Sequence, residues 1–490
     1  MADRWNLLFI MPDQLRLDFL SCYGATFIET PHIDSLAAHG LRYEYAYSAH
    51  PVCVPARVSL ITGMTAIKTG VLDNGQFLRP DYHACGIRTW PEVLGEKDYQ
   101  TAAIGKMHFY PWEKRLGFRE RIIAEDKLWG YIQDDYYHFL VTHGYSKRAF
   151  VDDPVYHRNH MALVSPIPWE YTVDHYVGQE TRRWIEQYDD DHPFALMVGF
   201  PGPHSPYDPA PEFADFAPDS MPEPLPAVPE DTAGMHARHS HSDSSRKPWY
   251  AVRNENPPTG ETFMLQRARY AGLVKQIDHE VGCILDALRR KNLLDTTVII
   301  FSTDHGDYLG DHGLSGKASF YEAACHIPMI VRHPKIAGPT VNRELVTLTD
   351  VTATLLALAG AELPGYLDCR PLPGLGLAEE EAREFIMGHL RDGWMLFDGR
   401  WKLAKYAGGA THLFDLENDP EEQHNLVQGS NCTEIRTRLE TILATETMRL
   451  IDEAFFWQRV YTFSYSSSPD FGRAGWERTY PMSWEGIYGA

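Results

Sequence analysis

Residues 53–63 read CVPARVSLITG and decide more about this chain than any other stretch. Pro55 suits the first turn of a helix, where its missing N–H costs no hydrogen bond. The apolar residues that follow allow the helix to continue, and Gly63 is placed to end it. Cys53 is therefore predicted at a helix N-terminus, where the helix dipole favours an anion, and Arg57 adds a positive charge one turn later. This pattern is typical of a nucleophile beside an oxyanion site.

The residues alone leave a second interpretation of Cys53 open. A single cysteine before a short helix is usually a small buried hydrophobic residue. Six further cysteines lie at positions 22, 85, 283, 325, 369 and 432. This odd, scattered set shows neither a disulfide framework nor the spacing of a zinc site. The role of Cys53 must therefore be judged from what surrounds it.

Length, charge and hydropathy limit the classes of protein. The 490 residues are enough for one large α/β domain and a smaller one, and 44% apolar residues supply a large core. The net charge of −22 argues against nucleic-acid binding, which needs a basic surface. No apolar run has the length of a membrane span or a signal segment, so we expect a cytoplasmic protein with no membrane partner.

Short apolar runs alternate with helical patterns along most of the chain. Strands are predicted at residues 6–11, 101–104, 194–200, 297–302 and 328–331, and helices at 32–38, 89–95, 174–186, 263–290 and 348–359. This alternation predicts an α/β fold with a large, mostly parallel sheet covered by helices on both faces. In such sheets, functional residues gather at the carboxyl ends of the strands.

The chain changes character after about residue 370. Strand-like runs at 401–406 and 411–416, a turn at 417–420 and a helix over 434–455 predict a small α+β subdomain with an antiparallel sheet. We therefore expect a large α/β domain over 1–370, this subdomain over 371–455 and an aromatic tail over 456–490. Because exposed aromatic side chains are unfavourable in water, the tail is expected to pack in a homo-oligomer, a dimer or a tetramer.

Two pairs of polar residues directly follow predicted strands. Asp13 and Gln14 come after the first strand, and Asp304 and His305 come after the fourth. Two carboxylates, a carboxamide oxygen and an imidazole, joined by Cys53, make a mostly oxygen site for a hard divalent cation. Taken singly, the first pair is equally explained as a helix N-cap and the second as a polar loop. Together with Cys53, the two pairs favour the metal site.

The complete string from Cys53 to Gly63 resembles the signature of the type I sulfatases, Cys-x-Pro-x-Arg followed by Thr-Gly. In that family a dedicated formylglycine-generating enzyme oxidises the cysteine, and the hydrated aldehyde is the nucleophile. Further segments resemble the family's motifs in the same order: 11–14 (MPDQ), 105–108 (GKMH), 203–207 (PHSPY), 303–307 (TDHGD) and 310–317 (GDHGLSGK). The resemblance spans residues 5–430 and implies the alkaline phosphatase-like fold.

The resemblance also implies roles for the matching residues. The implied catalytic residues are Cys53, Arg57, Lys106, His108, His204 and Lys317, and the implied metal ligands are Asp13, Gln14, Cys53, Asp304 and His305. The implied cofactor is one divalent metal, by family habit calcium, although Mn²⁺ or Mg²⁺ suits the same hard ligands. Asn74 resembles a substrate-binding residue of related hydrolases, and a plain turn explains it equally well.

The resemblance implies hydrolysis of a small sulfate ester, with two departures from the family pattern. The best-known members have Asp-Asp where this chain has Asp13-Gln14, and often Asp-Asn where it has Asp304-His305. Losing a carboxylate lowers the negative charge around the metal, so the site should tolerate a more highly charged substrate. A phosphonate monoester or phosphodiester hydrolase on the same scaffold is therefore the alternative. A catalytically silent binding protein is a third interpretation, and the intact motifs count against it.

Overall fold

An eight-stranded sheet forms the centre of the computed structural model, which describes residues 4–228, 252, 257–377 and 382–457. The strands are β1 (Asn6–Ile10), β2 (Gly40–Tyr47), β3 (Gln100–Gly105), β4 (Glu120–Ile123), β5 (Phe194–Gly199), β6 (Thr297–Ser302), β7 (Met329–Arg332) and β8 (Thr340–Thr347). Their spatial order is β4-β3-β5-β1-β6-β7-β2-β8. Neighbouring strands are parallel except where β7 runs antiparallel to β6 and β2.

The central strands supply side chains to two hydrophobic cores, one on each face of the sheet. Leu8 and Ile10 of β1 lie in one core, and Leu7 and Phe9 lie in the other. Every residue of β1, β5 and β6 is buried. Strands covered on both faces have this near-continuous apolar character. The predicted mostly parallel sheet is therefore confirmed.

Helices cover both faces of this sheet. The α-helices of the described residues are α1 (Pro31–Ala38), α2 (Cys53–Thr62), α3 (Ala66–Thr69), α4 (Trp90–Gly95), α5 (Asp135–Thr142), α6 (Pro154–Arg158), α7 (Val173–Gln187), α8 (Gly260–Arg290), α9 (Glu322–Cys325), α10 (Asp350–Leu358) and α11 (Thr433–Trp457). Helices α1, α7 and α8 pack in the core that contains Leu8, whereas α2, α4 and α10 pack in the core that contains Leu7. Among the described residues, no helix combines the length and the apolarity needed to cross a membrane.

A second, smaller sheet follows the large one in the chain. Its antiparallel strands are β9 (Ile386–Leu390), β10 (Gly393–Phe397), β11 (Trp401–Tyr406) and β12 (Thr411–Asp415), in consecutive order. Leu439 and Leu443 of α11 pack on Leu396, Leu403 and Leu413 of this sheet. The predicted antiparallel sheet is confirmed, while the domain boundaries at 370 and 455 stay predictions. The tail predicted at 456–490 lies outside the described residues from 458 onward.

Five strands were not predicted from the sequence. Strand β4 lies at one edge of the large sheet and has no fully buried residue, and β8 lies at the other edge with its first five residues exposed or half-buried. Polar edge strands lack the apolar run that marks a central strand. Strand β2 has charged and aromatic residues, and β9 and β10 pair with each other across a short turn. Pairing with neighbours, rather than local hydrophobicity, defines all five.

Candidate active site

The helix predicted at the 53–63 stretch is present as α2, and Cys53 is its first residue. Every residue of α2 is buried. Gly63 ends the helix with a left-handed backbone at φ 74°, which glycine adopts without strain. The Cys53 side chain is therefore held in the interior, at the positive end of a helix dipole.

Other segments bring polar side chains to Cys53 from the ends of strands. Asp13 follows β1, Lys106 follows β3, and Asp304 and His305 follow β6. Because β3, β5, β1 and β6 are parallel neighbours, their carboxyl ends lie at one edge of the sheet. The sulfur of Cys53 lies 3.2 Å from Nε2 of His305. The candidate ligand atoms of Asp13, Cys53, Asp304 and His305 all lie within 4.8 Å of one another.

Arg57 holds the two carboxylates of this cluster. Its Nε donates to Oδ2 of Asp304 at 2.8 Å, and its Nη2 donates to Oδ2 of Asp13 at 3.0 Å. Its Nη1 donates to the carbonyl of Lys106 at 2.7 Å, and Nζ of Lys106 lies 2.9 Å from the same Asp13 oxygen. These side chains are almost fully buried, so each charge depends on its partner. The guanidinium of Arg57 is therefore committed to the carboxylates.

The electrostatic balance favours negative charge on both Asp13 and Cys53. Burial and the neighbouring Cys53 raise the pKa of Asp13, but the surrounding basic side chains lower that pKa more, to well below its usual range. Burial also raises the pKa of the Cys53 thiol. The charges of Lys317 and His305, followed by hydrogen bonding from two other histidines, lower this pKa to well below that of an ordinary thiol. Such shifts are typical of functional sites.

A divalent cation fits the donor set of this cluster. Oδ1 of Asp13 is buried and has no hydrogen-bond partner among the described residues, although buried carboxylate oxygens ordinarily have one. Nδ1 of His305 donates to the carbonyl of Gly306 at 2.9 Å. This bond fixes the ring with Nε2 facing Cys53, and in its neutral form His305 would offer the Nε2 lone pair to a metal there.

Gln14 connects the cluster to a second basic pair. Its backbone is left-handed at φ 69°, its amide oxygen accepts a hydrogen bond from Nζ of Lys317, and its Nε2 donates to Asp307. Lys317 also donates to Nε2 of His204 at 2.9 Å, while Nδ1 of His204 donates to the carbonyl of Ser205 at 2.7 Å. Lys317 and His204 therefore form a contacting pair beside Gln14. A metal-ligand role for Gln14 stays a prediction.

His108 is positioned by a buried acidic residue that the sequence analysis missed. The backbone of His108 is left-handed at φ 59°, and its N–H donates to Oε2 of Glu125 at 2.7 Å. Nδ1 of His108 is buried without a hydrogen-bond partner in the described part of the chain. Glu125 lies in a segment without a motif, so no signal in the sequence identified it. Asp307 was also missed, although it lies in the quoted TDHGD segment.

Asn74 lies beside Cys53 but binds the protein itself. Its Oδ1 accepts a hydrogen bond from the backbone N–H of Val54 at 2.9 Å. This bond satisfies one of the free N–H groups at the start of α2. The predicted role of Asn74 in binding substrate stays a prediction, and its contact with α2 explains why the side chain lies near the site.

Comparisons with known proteins agree with this geometry. The protein-family model described as Sulfatase matches residues 5–361, and the model described as N-sulphoglucosamine sulphohydrolase, C-terminal, matches residues 310–449. An arylsulfatase of Clostridium perfringens is 28% identical over 90% of this chain and 94% of its own length. A choline-sulfatase of Rhizobium meliloti is 29% identical over 86% of this chain and 82% of its own length.

A solved structure shows the same fold. The phosphonate monoester hydrolase of Agrobacterium radiobacter superimposes with a TM-score of 0.77, at 22% identity, over 92% of this chain and 96% of its own. Because the shared identity is low, this likeness concerns the arrangement of helices and strands. The eight-stranded sheet and the four-stranded sheet therefore belong to an architecture that solved hydrolases share.

Proposed function

Because the chain belongs to the sulfatase family, we propose that it hydrolyses a small sulfate monoester at the cluster around Cys53. The observation that carries this proposal is the convergence of Cys53 with Asp13, Asp304 and His305 within 4.8 Å. Lys106, Lys317 and His204 surround that cluster with basic groups. A nucleophile, a cation site and charges for an anionic group are thus brought together.

Membership of the family implies a divalent metal and a formylglycine made from cysteine. At this site Asp13, Gln14, Asp304 and His305 would hold the metal, which we propose to be Ca²⁺. When bound, the metal supplies Lewis acidity toward the sulfate oxygens, and the hydrated aldehyde at position 53 supplies a hydroxyl nucleophile. The formylglycine-generating enzyme is then a partner during maturation.

The other residues act through charge and position. Lys106 and Lys317 offer ammonium groups to the sulfate oxygens, where preorganised charge contributes most. Arg57 keeps the carboxylates of Asp13 and Asp304 in place. Lys317 donates to His204 at 2.9 Å, so this pair can deliver a proton to the leaving oxygen. His108 orients the nucleophile at position 53.

The test compares kcat/KM for p-nitrophenyl sulfate and phenyl p-nitrophenyl phosphonate in one preparation, with Cys53→Ala as the blank. We expect preference for the sulfate ester. The second candidate, a phosphonate monoester or phosphodiester hydrolase, is favoured by Gln14, a neutral amide where the best-known sulfatases have a carboxylate, and by His305, which stands where they often have an amide. Preference for the phosphonate would move the assignment to this second candidate.

Replacing Lys317 with alanine is expected to steepen the dependence of the rate on the leaving group. With p-nitrophenol, a good leaving group, little proton donation is needed. With phenol as the leaving group, the loss of kcat/KM in the variant should be on the order of 10²-fold larger than with p-nitrophenol, because proton transfer of this kind contributes that much. The measurement is kcat/KM across a series of aryl sulfates. Lys405→Ala, which alters a half-exposed lysine paired with Glu440, serves as the control. If Lys317→Ala lost kcat/KM equally for all members of the series, Lys317 would have no role in protonating the leaving group.

We also propose that the protein works as a homo-oligomer, a dimer or a tetramer, through residues 456–490. Support comes from the sequence of this tail, which contains nine tryptophan, tyrosine and phenylalanine residues from Trp457 onward. Deletion of residues 460–490 is expected to lower the mass measured by light scattering. An unchanged oligomer would contradict the proposal.

A further inference from the structure

A row of aromatic side chains, which we call the ring wall, begins at His108. It consists of Phe77, Tyr110, Trp112, Trp129 and Tyr131. The His108 ring centroid lies 6.1 Å from that of Trp112 and 5.9 Å from that of Trp129. The row continues from Trp112 to Tyr110 at 6.2 Å, from Tyr110 to Phe77 at 4.7 Å and from Trp129 to Tyr131 at 5.9 Å. These are the distances of interacting aromatic pairs.

The ring wall leads from the closed site toward solvent. Asp13, Cys53 and Asp304 are all buried, whereas His108 and Trp112 are half-buried, and Phe77 and Tyr110 are 44% and 53% exposed. A sulfate group bound at the buried cluster must therefore leave the alcohol part of its ester on the exposed side. The ring wall borders that side.

The ring wall is fixed to the active site by hydrogen bonds. Glu125, which accepts from the N–H of His108, also lies 3.0 Å from Nη2 of Arg121. Nη1 of Arg121 in turn donates to the carbonyl of Trp112 at 2.6 Å. One buried ion pair thus positions both His108 and Trp112. A binding surface held in this way loses little entropy when a ligand binds.

The charges around the ring wall favour an uncharged ligand. Lys106 and Lys317 place two ammonium groups in the site to which the ring wall leads. A cationic ligand would be repelled by these ammonium groups, whereas a neutral flat ligand gains contact with the faces and edges of the rings.

On the premise of the proposed function, we propose that the ring wall is the subsite for the alcohol part of the ester and that it selects an uncharged alcohol with a flat, apolar face. Trp112 is its central specificity-determining residue, because it contacts His108, Tyr110 and Trp129. The ring wall contacts only the alcohol part of the ester and takes no part in breaking the ester bond.

The test uses Trp112→Ala, with Trp112→Phe as the conservative variant. Trp394→Ala, which removes a 39% exposed tryptophan of the small sheet, is the matched control. We expect Trp112→Ala to lower kcat/KM for p-nitrophenyl sulfate about 10-fold or more, chiefly through KM. Inhibition by inorganic sulfate, which has no alcohol part, should change less than about threefold. Trp112→Phe should recover most of the loss, and Trp394→Ala should show none.

Three results would overturn the subsite. The first is an unchanged kcat/KM for the aryl ester in Trp112→Ala. The second is inhibition by inorganic sulfate that weakens as much as aryl turnover does, since that would indicate a structural role for Trp112. The third concerns choline sulfate, used as a cationic competitor. If Trp112→Ala weakened inhibition by choline sulfate more than it lowered kcat/KM for the aryl ester, the rings would select a cation. A wild-type enzyme inactive on p-nitrophenyl sulfate would count against the sulfatase proposal, and the same variants would then be compared on the phosphonate ester.

Discussion

Cys53→Ala is expected to lower kcat/KM for any ester substrate by at least about 10⁴-fold, the size of effect seen when a covalent nucleophile is removed. The sulfur lies 3.2 Å from His305 and shares its surroundings with the two buried carboxylates. Alanine keeps the helix start of α2 and removes a single buried atom, so the free energy of unfolding should fall by only about 1 kcal/mol. Steady-state kinetics and thermal unfolding on the same preparation measure both effects.

Cys53→Ser separates two forms of the nucleophile. A serine offers a simple hydroxyl, whereas an aldehyde made from cysteine offers a hydrated one. If formylglycine is required, the serine variant should be as inactive as the alanine variant when both are produced alongside the modifying enzyme. Mass spectrometry of the peptide containing residue 53 reports whether the wild-type thiol has been converted. An alanine variant that keeps a tenth of the wild-type rate would refute the assignment of Cys53.

Asp13→Asn is expected to lower kcat/KM on the order of 10³-fold and to raise the Ca²⁺ concentration needed for half-maximal activity. Oδ2 of Asp13 binds Arg57 and Lys106, and Oδ1 has no partner among the described residues. The amide removes a hard anionic ligand. It also leaves the two buried cations Arg57 and Lys106 with one carboxylate fewer, so the free energy of unfolding should fall by about 3 kcal/mol. Activity titrated with Ca²⁺ after chelation, and thermal unfolding with and without Ca²⁺, measure these changes.

Asp350→Asn provides the matched control for this loss of stability. Asp350 is also fully buried at the start of a helix, and it pairs with Arg383 at 2.7 Å. Its amide variant should be destabilised to a similar degree while kcat/KM stays within about threefold of wild type. If the two variants lost activity equally, the effect of Asp13→Asn would be one of stability, and its assignment as a ligand would be wrong.

Local chemistry explains which parts of the site could be predicted. Pro55 and Gly63 mark both ends of α2, and the apolar runs of β1 and β6 place Asp13 and Asp304 at strand ends. Parallel strands then bring these residues to one edge, whatever their separation in the chain. The hydrogen bond from Val54 to Asn74 and the contact of His108 with Glu125 had no such marker.

Arg57 illustrates the difference between a residue's type and its function. Its positive charge near Cys53 is readable from the spacing, and a guanidinium suits an anionic substrate as well as a carboxylate. In the folded chain its guanidinium nitrogens donate hydrogen bonds to Asp13, to Asp304 and to the carbonyl of Lys106. Which anion it binds depends on residues that are more than 40 positions away in sequence.

The sequence by itself determined the α/β architecture, the start of α2 at Cys53 and the residues that meet at the strand ends, because hydrophobic periodicity, proline, glycine and short motifs are local properties. The tertiary structure alone decided the polar edge strands, the division of Arg57 between two carboxylates, the pairing of Lys317 with His204 and the ring wall beside His108. Each of these depends on distant segments packing together, and the energy of a buried charge or an aromatic face is set by neighbours that the order of residues does not reveal.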